Sequence, residues 1–160
     1  MTLRTSVHIV WGDGTTGKTA GDVTALDWTV QDVPPDAPVG RGQVGRGKTC
    51  VSNDDNNRVA MNLENTSNTG TKARVSAAVT GDGGWNIAAF PEMDTFVIQA
   101  QLAGNSLATL TPAAQELTDT IRLAKGADQA LVLTVMTPTD ITRDTGVGKT
   151  MFVTLTATAE

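Results

Sequence analysis

Residues 71–79 read Thr71-Lys72-Ala73-Arg74-Val75-Ser76-Ala77-Ala78-Val79. Ala73, Val75, Ala77 and Val79 recur at every second position, with Lys72, Arg74 and Ser76 between them. A period of two sends the apolar set to one side of an extended chain and the charged set to the other, so this stretch is a strand with one dry and one wet face. The same period surrounds it. Residues 57–65 set Val59, Met61 and Leu63 against Arg58, Asn62 and Glu64, and residues 95–102 alternate Phe96, Ile98, Ala100 and Leu102 with Val97, Gln99 and Gln101. Further extended runs fall at 4–11 (Val7, Ile9, Trp11), 23–30 (Leu26, Trp28, Val30), 85–90, 118–123, 129–137 (Leu131, Leu133, Val135) and 149–158 (Met151, Val153, Leu155). Together they predict an all-β chain: a single antiparallel β-sandwich of jelly-roll or immunoglobulin-like kind, with about nine strands, spanning residues 1–160 as one domain.

The links between the runs are read from turn chemistry. Asn65-Thr-Ser-Asn-Thr-Gly70 predicts a hairpin turn joining its two flanking strands, and Gly81-Asp-Gly-Gly84 predicts another turn. Residues 32–48 carry Pro34, Pro35, Pro38 and four glycines, which excludes a central strand or a helix. One helical signal stands out. Thr111 followed by Pro112 supplies an N-cap and a first-turn proline, predicting one short helix near 112–117.

Composition removes several function classes. Twelve Lys and Arg against seventeen Asp and Glu leave a net charge of −5 over 160 residues, the wrong sign for a nucleic-acid module that works by phosphate neutralisation. One Cys, Cys50, and one His, His8, preclude a disulfide within the chain and leave a thiolate or imidazole zinc site without ligands. A serine or cysteine nucleophile would need His8, which sits in the apolar run Val7-His8-Ile9-Val10-Trp11. The expectation is therefore a non-enzyme without cofactors. No stretch reaches the roughly 20 apolar residues of a membrane span, and residues 1–10 lack the apolar core of a signal peptide.

Two stretches match the phosphate-loop pattern in full: Gly12-Asp-Gly-Thr-Thr-Gly17-Lys18-Thr19 and Gly42-Gln-Val-Gly-Arg-Gly47-Lys48-Thr49. That chemistry needs the loop to open a helix whose N-terminal amides hold phosphate. Residues 20–30 have strand period and residues 50–57 are polar, so both matches are read as turns and nucleotide binding is not expected. Asn53, Asp54 and Asp55, with Asn56 and Asn57, offer oxygen ligands for calcium but lack the order of a calcium loop. Asn65-Thr66-Ser67 is a formal N-glycosylation sequon. Glu64, Glu92, Asp94, Glu116 and Asp119 supply carboxylates but no spacing that singles out a glycosidase pair. Trp11, Trp28 and Trp85 have the chemistry to stack on sugars and equally to fill a core.

The run Leu63-Glu-Asn65-Thr-Ser-Asn68-Thr-Gly70, followed by Lys72-Ala-Arg-Val75-Ser-Ala-Ala-Val79, resembles a unit of the TasA and camelysin family of secreted bacterial matrix-fibre proteins. Residues 123–138, the polar loop 140–148 and Lys149-Thr-Met151-Phe-Val153-Thr-Leu155-Thr-Ala157 are similar to that family's closing strand pair. The likeness covers roughly residues 57–160 and is one of pattern. It implies a jelly-roll-like subunit that polymerises into an extracellular fibre, the N-terminal strand of one subunit completing a neighbour's sheet.

The residues themselves offer such a donor. In residues 1–11, Val7, Ile9 and Trp11 fall on one face, and the glycine-rich residues 12–22 supply a hinge. An ordinary first strand of the chain's own domain fits the same residues. The expectation is thus a non-catalytic, self-assembling homopolymer subunit outside the cell or on its surface, with Val7, Ile9 and Trp11 as the donor contacts. Two other readings fit the sequence: a carbohydrate- or calcium-binding surface module, and a capsid or tail protein of a virion.

Overall fold

The computed structural model describes residues 9–12, 29–30, 43–44, 47, 49–51, 61–66, 71–81, 86–140, 142 and 151–160. Among them there is no helix, and the elements are strands throughout: β1 (Ile9–Gly12), β2 (Thr29–Val30), β3 (Gln43–Val44), β4 (Thr49–Val51), β5 (Met61–Asn65), β6 (Ala73–Gly81), β7 (Asn86–Ile87), β8 (Thr95–Leu102), β9 (Ala108–Thr109), β10 (Gln115–Glu116), β11 (Asp128–Met136) and β12 (Met151–Ala159). A seven-stranded sheet runs β1-β5-β11-β8-β7, with β4 on β11 and β9 on β8. A three-stranded sheet runs β10-β6-β12, and β2 pairs with β3. Pairing is antiparallel in the first two sheets except for β7 on β8.

From β5 onward the chain crosses back and forth between the two larger sheets, and each crossing brings apolar faces together. Leu63 of β5, Phe96, Ile98, Ala100 and Leu102 of β8, and Leu131, Leu133 and Val135 of β11 join Ala73, Val75, Ala77 and Val79 of β6 in one buried cluster. Leu110, Leu117 and Leu123 from the connections complete it. The period-two pattern is thus realised: β6 buries its odd-numbered residues 73–79 and exposes Lys72 and Arg74 beside them. Val97, at an alternate position of β8, is buried as well, so that strand's first half is covered on both faces.

Four local expectations are corrected. The segment after Asn65 is not a hairpin, because β5 and β6 lie in different sheets. Asn65 itself makes the crossing: wholly buried, its Nδ2 donates to the carbonyls of Thr71 at 3.0 Å and Leu123 at 2.9 Å, while its own carbonyl accepts from Gly126 N at 2.7 Å. A side-chain amide so enclosed has no room for a glycan on the folded chain, so the sequon reading is also set aside.

The expected helix near 112–117 is absent. Pro112 and Ala113 bend, and Gln115–Glu116 pair with Ala77 and Ser76 of β6. Thr111 Oγ1 donates to the Ala113 carbonyl and accepts from Gln115 Nε2, so local bonds and a ladder replace a helical turn too short to repay nucleation. Residues 118–123, expected as a strand, form a pinned loop instead. Asn105 Oδ1 accepts from Thr120 N and Ile121 N, Asp119 Oδ1 accepts from Ser106 N, and only Leu123 bridges to Ala73. Gly104 holds φ at +79°, and an added Cβ would stand 2.5 Å from Ile121 Cδ1.

Candidate assembly edges

A strand at the margin of a sheet presents unpaired backbone donors and acceptors and is where chains join. Two margins matter here. On the seven-stranded sheet β1 is, among the described residues, the terminal strand, with Ile9 opposite Asn65, Val10 opposite Glu64, Trp11 opposite Leu63 and Gly12 opposite Asn62. Ile9 and Trp11 therefore pair with β5 of their own chain, and Val7 lies outside the described residues. On the three-stranded sheet β12 pairs along its whole length with β6, from Met151 opposite Gly81 to Ala159 opposite Ala73, and among the described residues no strand pairs on its other side.

The two strands of that pair are covered unequally. Ala73, Val75, Ala77 and Val79 of β6 are at most 1% exposed, whereas Met151, Val153 and Leu155 of β12 pack on the same core yet stay half-buried. Phe152, Thr154, Thr156 and Thr158 face outward and are exposed. Between Met151 and Ala159 there is no charged residue, no proline and no glycine. Lys, Pro and bulges are the usual means of blunting an edge, and β12 has none of the residues.

Charge is gathered instead beside the edge. Arg74 on β6 donates from Nε and Nη2 to Glu116 on β10, at 2.9 and 2.5 Å. Arg122 donates to the same carboxylate at 2.7 Å and, through Nε, to Glu160 at 2.5 Å. Glu160 in turn closes the end of β12, its N–H donating to the Lys72 carbonyl. The hydrogen bond from Arg74 holds the Glu116 carboxyl below its ordinary pKa, and that from Arg122 does the same for Glu160. Both arginines are raised by these partners. Because the folded pKa values lie below the ordinary ones, this contribution is complete above the usual carboxylate range and is lost as pH falls through the folded values. Glu116→Gln should therefore lower the melting temperature at neutral pH and make no difference in acid; a gap between variant and parent that persists in acid would contradict this.

A second carboxylate is structural. Asp94 precedes β8 with φ at +53°, a conformation Asp tolerates better than most residues. It is buried, accepts from Thr142 N at 2.7 Å and Thr142 Oγ1 at 2.5 Å, and its N–H donates to the Asp140 carbonyl. This ties the start of β8 to the segment after β11.

Of the other candidate residues, Asn53, Asp54 and Asp55 lie outside the described set, as do Trp28 and Trp85. Among the described residues no group of three or more His, Cys, Asp or Glu is placed to hold a metal ion. Of the two phosphate-loop matches, only Gly12 of the first is described; in the second, Thr49 opens strand β4, which pairs with β11. Among the described residues no helix is long and apolar enough to cross a membrane. The ion-pair chain and the β12 edge had no counterpart in the sequence reading. The nine uncharged residues before Glu160 were the available signal for the edge, whereas partners 38 and 42 residues apart left none for the ion pairs. Comparison with protein-family models, with curated proteins and with solved structures finds no match for this chain.

Proposed function

We propose that this chain is a non-catalytic structural subunit, a jelly-roll-like β-sandwich that self-assembles into an extracellular filament by donating its N-terminal strand to a neighbour. The observation that carries the reading is the position of β1: a four-residue strand at the end of the larger sheet, paired among the described residues with β5 alone. It is followed by the glycine-rich Gly12-Asp-Gly-Thr-Thr-Gly17. A short edge strand on a permissive hinge can leave its own β5 and take the same register on the next subunit's β5. The pairing energy is then conserved, and a head-to-tail contact that does not close grows as a fibre. The alternation of the chain between two sheets around one core supports the sandwich.

The test is removal of residues 1–11, followed by electron microscopy and light scattering over a range of concentrations. The truncated chain should stay folded and form no filaments, and a synthetic peptide of residues 1–12 should bind it. Val7→Asp or Ile9→Asp in the full chain should likewise abolish filaments, since a carboxylate buried without a partner is strongly unfavourable. Filaments of normal yield from these variants, or a parent chain that never assembles, would overturn the reading.

A further inference from the structure

The outer edge of β12 has a chemistry of its own. In an antiparallel ladder, residues alternate between those that exchange backbone bonds with one neighbour and those whose N–H and C=O point the other way. Glu160 N donates to Lys72 O, so even-numbered residues of β12 face β6. The backbone groups of Met151, Val153, Leu155, Ala157 and Ala159 therefore point away from β6. The other flank of β6 agrees: Leu117 N donates to Val75 O, Val79 N donates to Thr111 O, and Ala73 exchanges bonds with Leu123, all odd-numbered on β6. The residues with outward backbone groups are thus also those of the core-facing side, and in β12 the large ones among them, Met151, Val153 and Leu155, are left half-buried.

We infer that β12 is a homotypic interface, on which the β12 of a second copy docks antiparallel about a two-fold axis through Leu155, joining two three-stranded sheets into one of six. To keep the core face continuous, odd-numbered residues must stand opposite odd-numbered ones. Centring on Leu155 alone among such registers engages all five outward-pointing residues, as Met151–Ala159, Val153–Ala157 and Leu155–Leu155 pairs. Each large side chain beside the axis then meets a small one, Met151 against Ala159 and Val153 against Ala157, while the two leucines meet at the axis itself. On the outer face Thr154 stands opposite Thr156, and Phe152 opposite Thr158, pairings that favour sheets. Nothing in the contact is charged, and Glu160 at its margin is already engaged by Arg122. In a chain of net charge −5, a nine-residue uncharged strand is a surface on which two copies meet without repulsion. This interface is separate from β1 and does not depend on strand donation.

The experiment is analytical ultracentrifugation of the full chain, with circular dichroism and melting curves to verify the fold of each variant. Ala157→Pro removes only an N–H that points away from β6, which an edge strand tolerates. It should leave the fold intact and weaken pairing roughly tenfold or more, since each copy loses a bond of the ladder at two symmetric points. The register is tested by charge. Thr154→Lys with Thr156→Lys sets like charges directly opposite and should abolish pairing, whereas Thr154→Lys with Thr156→Glu sets opposite charges there and should restore it. A chain lacking residues 1–11 should still pair through β12 while making no filaments, which separates this interface from the strand-donor reading. Undiminished association of folded Ala157→Pro, equal association of the two charge pairs, or a parent chain monomeric at every concentration would overturn the inference.

Discussion

Asn65→Ala should destabilise the chain by about 3 kcal/mol, because the bonds from its amide to the Thr71 and Leu123 carbonyls are lost and a cavity is left where the amide stood. Those carbonyls belong to Thr71, just before β6, and to Leu123, which also accepts from Ala73 N. Asn65 is itself at the end of β5, bonded through its backbone to Gly126 and Ala127 at the turn leading into β11. One amide thus joins the ends of both larger sheets. For a domain of this size the loss corresponds to a fall of roughly 6–12 °C in melting temperature. Asn65→Asp separates the two contributions. It keeps the volume but replaces a donor with a carboxylate aimed at two carbonyl oxygens, so it should cost more than alanine at neutral pH. Urea denaturation with m-values compared across the three proteins provides the check; a change below about 1 kcal/mol for Asn65→Asp would show that the amide is not a clip.

Leu131→Ala should cost about 2–5 kcal/mol, a large share of the 5–15 kcal/mol that holds a domain together. Leu131 is 1% exposed and sits where β11 is flanked on both sides, opposite Met61 of β5 and Leu102 of β8. Backbone held from both sides cannot close over the void, which places the site toward the upper end of the range. Leu155→Ala on β12 is the control, since Leu155 packs on the same core from an edge and is only half-buried. Its cost in the monomer should be roughly half as large. Equal effects at the two positions would mean that β12 is as enclosed as β11, and would contradict an open edge.

These two residues also mark how far local pattern reaches. The extended runs expected at 95–102, 71–79, 129–137 and 149–158 are found as Thr95–Leu102, Ala73–Gly81, Asp128–Met136 and Met151–Ala159. The side-chain period of a strand is set by its own backbone, so Leu131 is legible as a core residue from its neighbours alone. Asn65 is not. A polar run of Asn, Thr, Ser and Gly has the same composition whether it turns a strand back on its neighbour or carries it to another sheet. Which of these happens depends on partners at Leu123 and Ala127, some 60 residues away. The helix expected near 112–117 failed for a related reason. Thr111-Pro112 is a sound start signal, but a few residues alone do not outweigh a ladder offered by β6.

The same division runs through the candidate sites. An extended run near the N-terminus was legible because apolar alternation is a local property, and of the run expected at 4–11 residues 9–11 are described, in a strand that pairs with β5 of the same chain. The open edge was not legible, because the alternation of β12 reads the same as that of β11, a strand flanked on both sides.

By itself the sequence determined that the long elements among the described residues are strands, and which side of each faces the core. Those properties depend on spacing and composition within a few residues. Only the tertiary structure decided which sheet each strand joins, that Asn65 is buried as a clip, and that among the described residues β12 ends a sheet with its core-facing apolar residues partly exposed. These depend on which distant segments fill each strand's two hydrogen-bonding sides, a competition settled by the packing of the whole core.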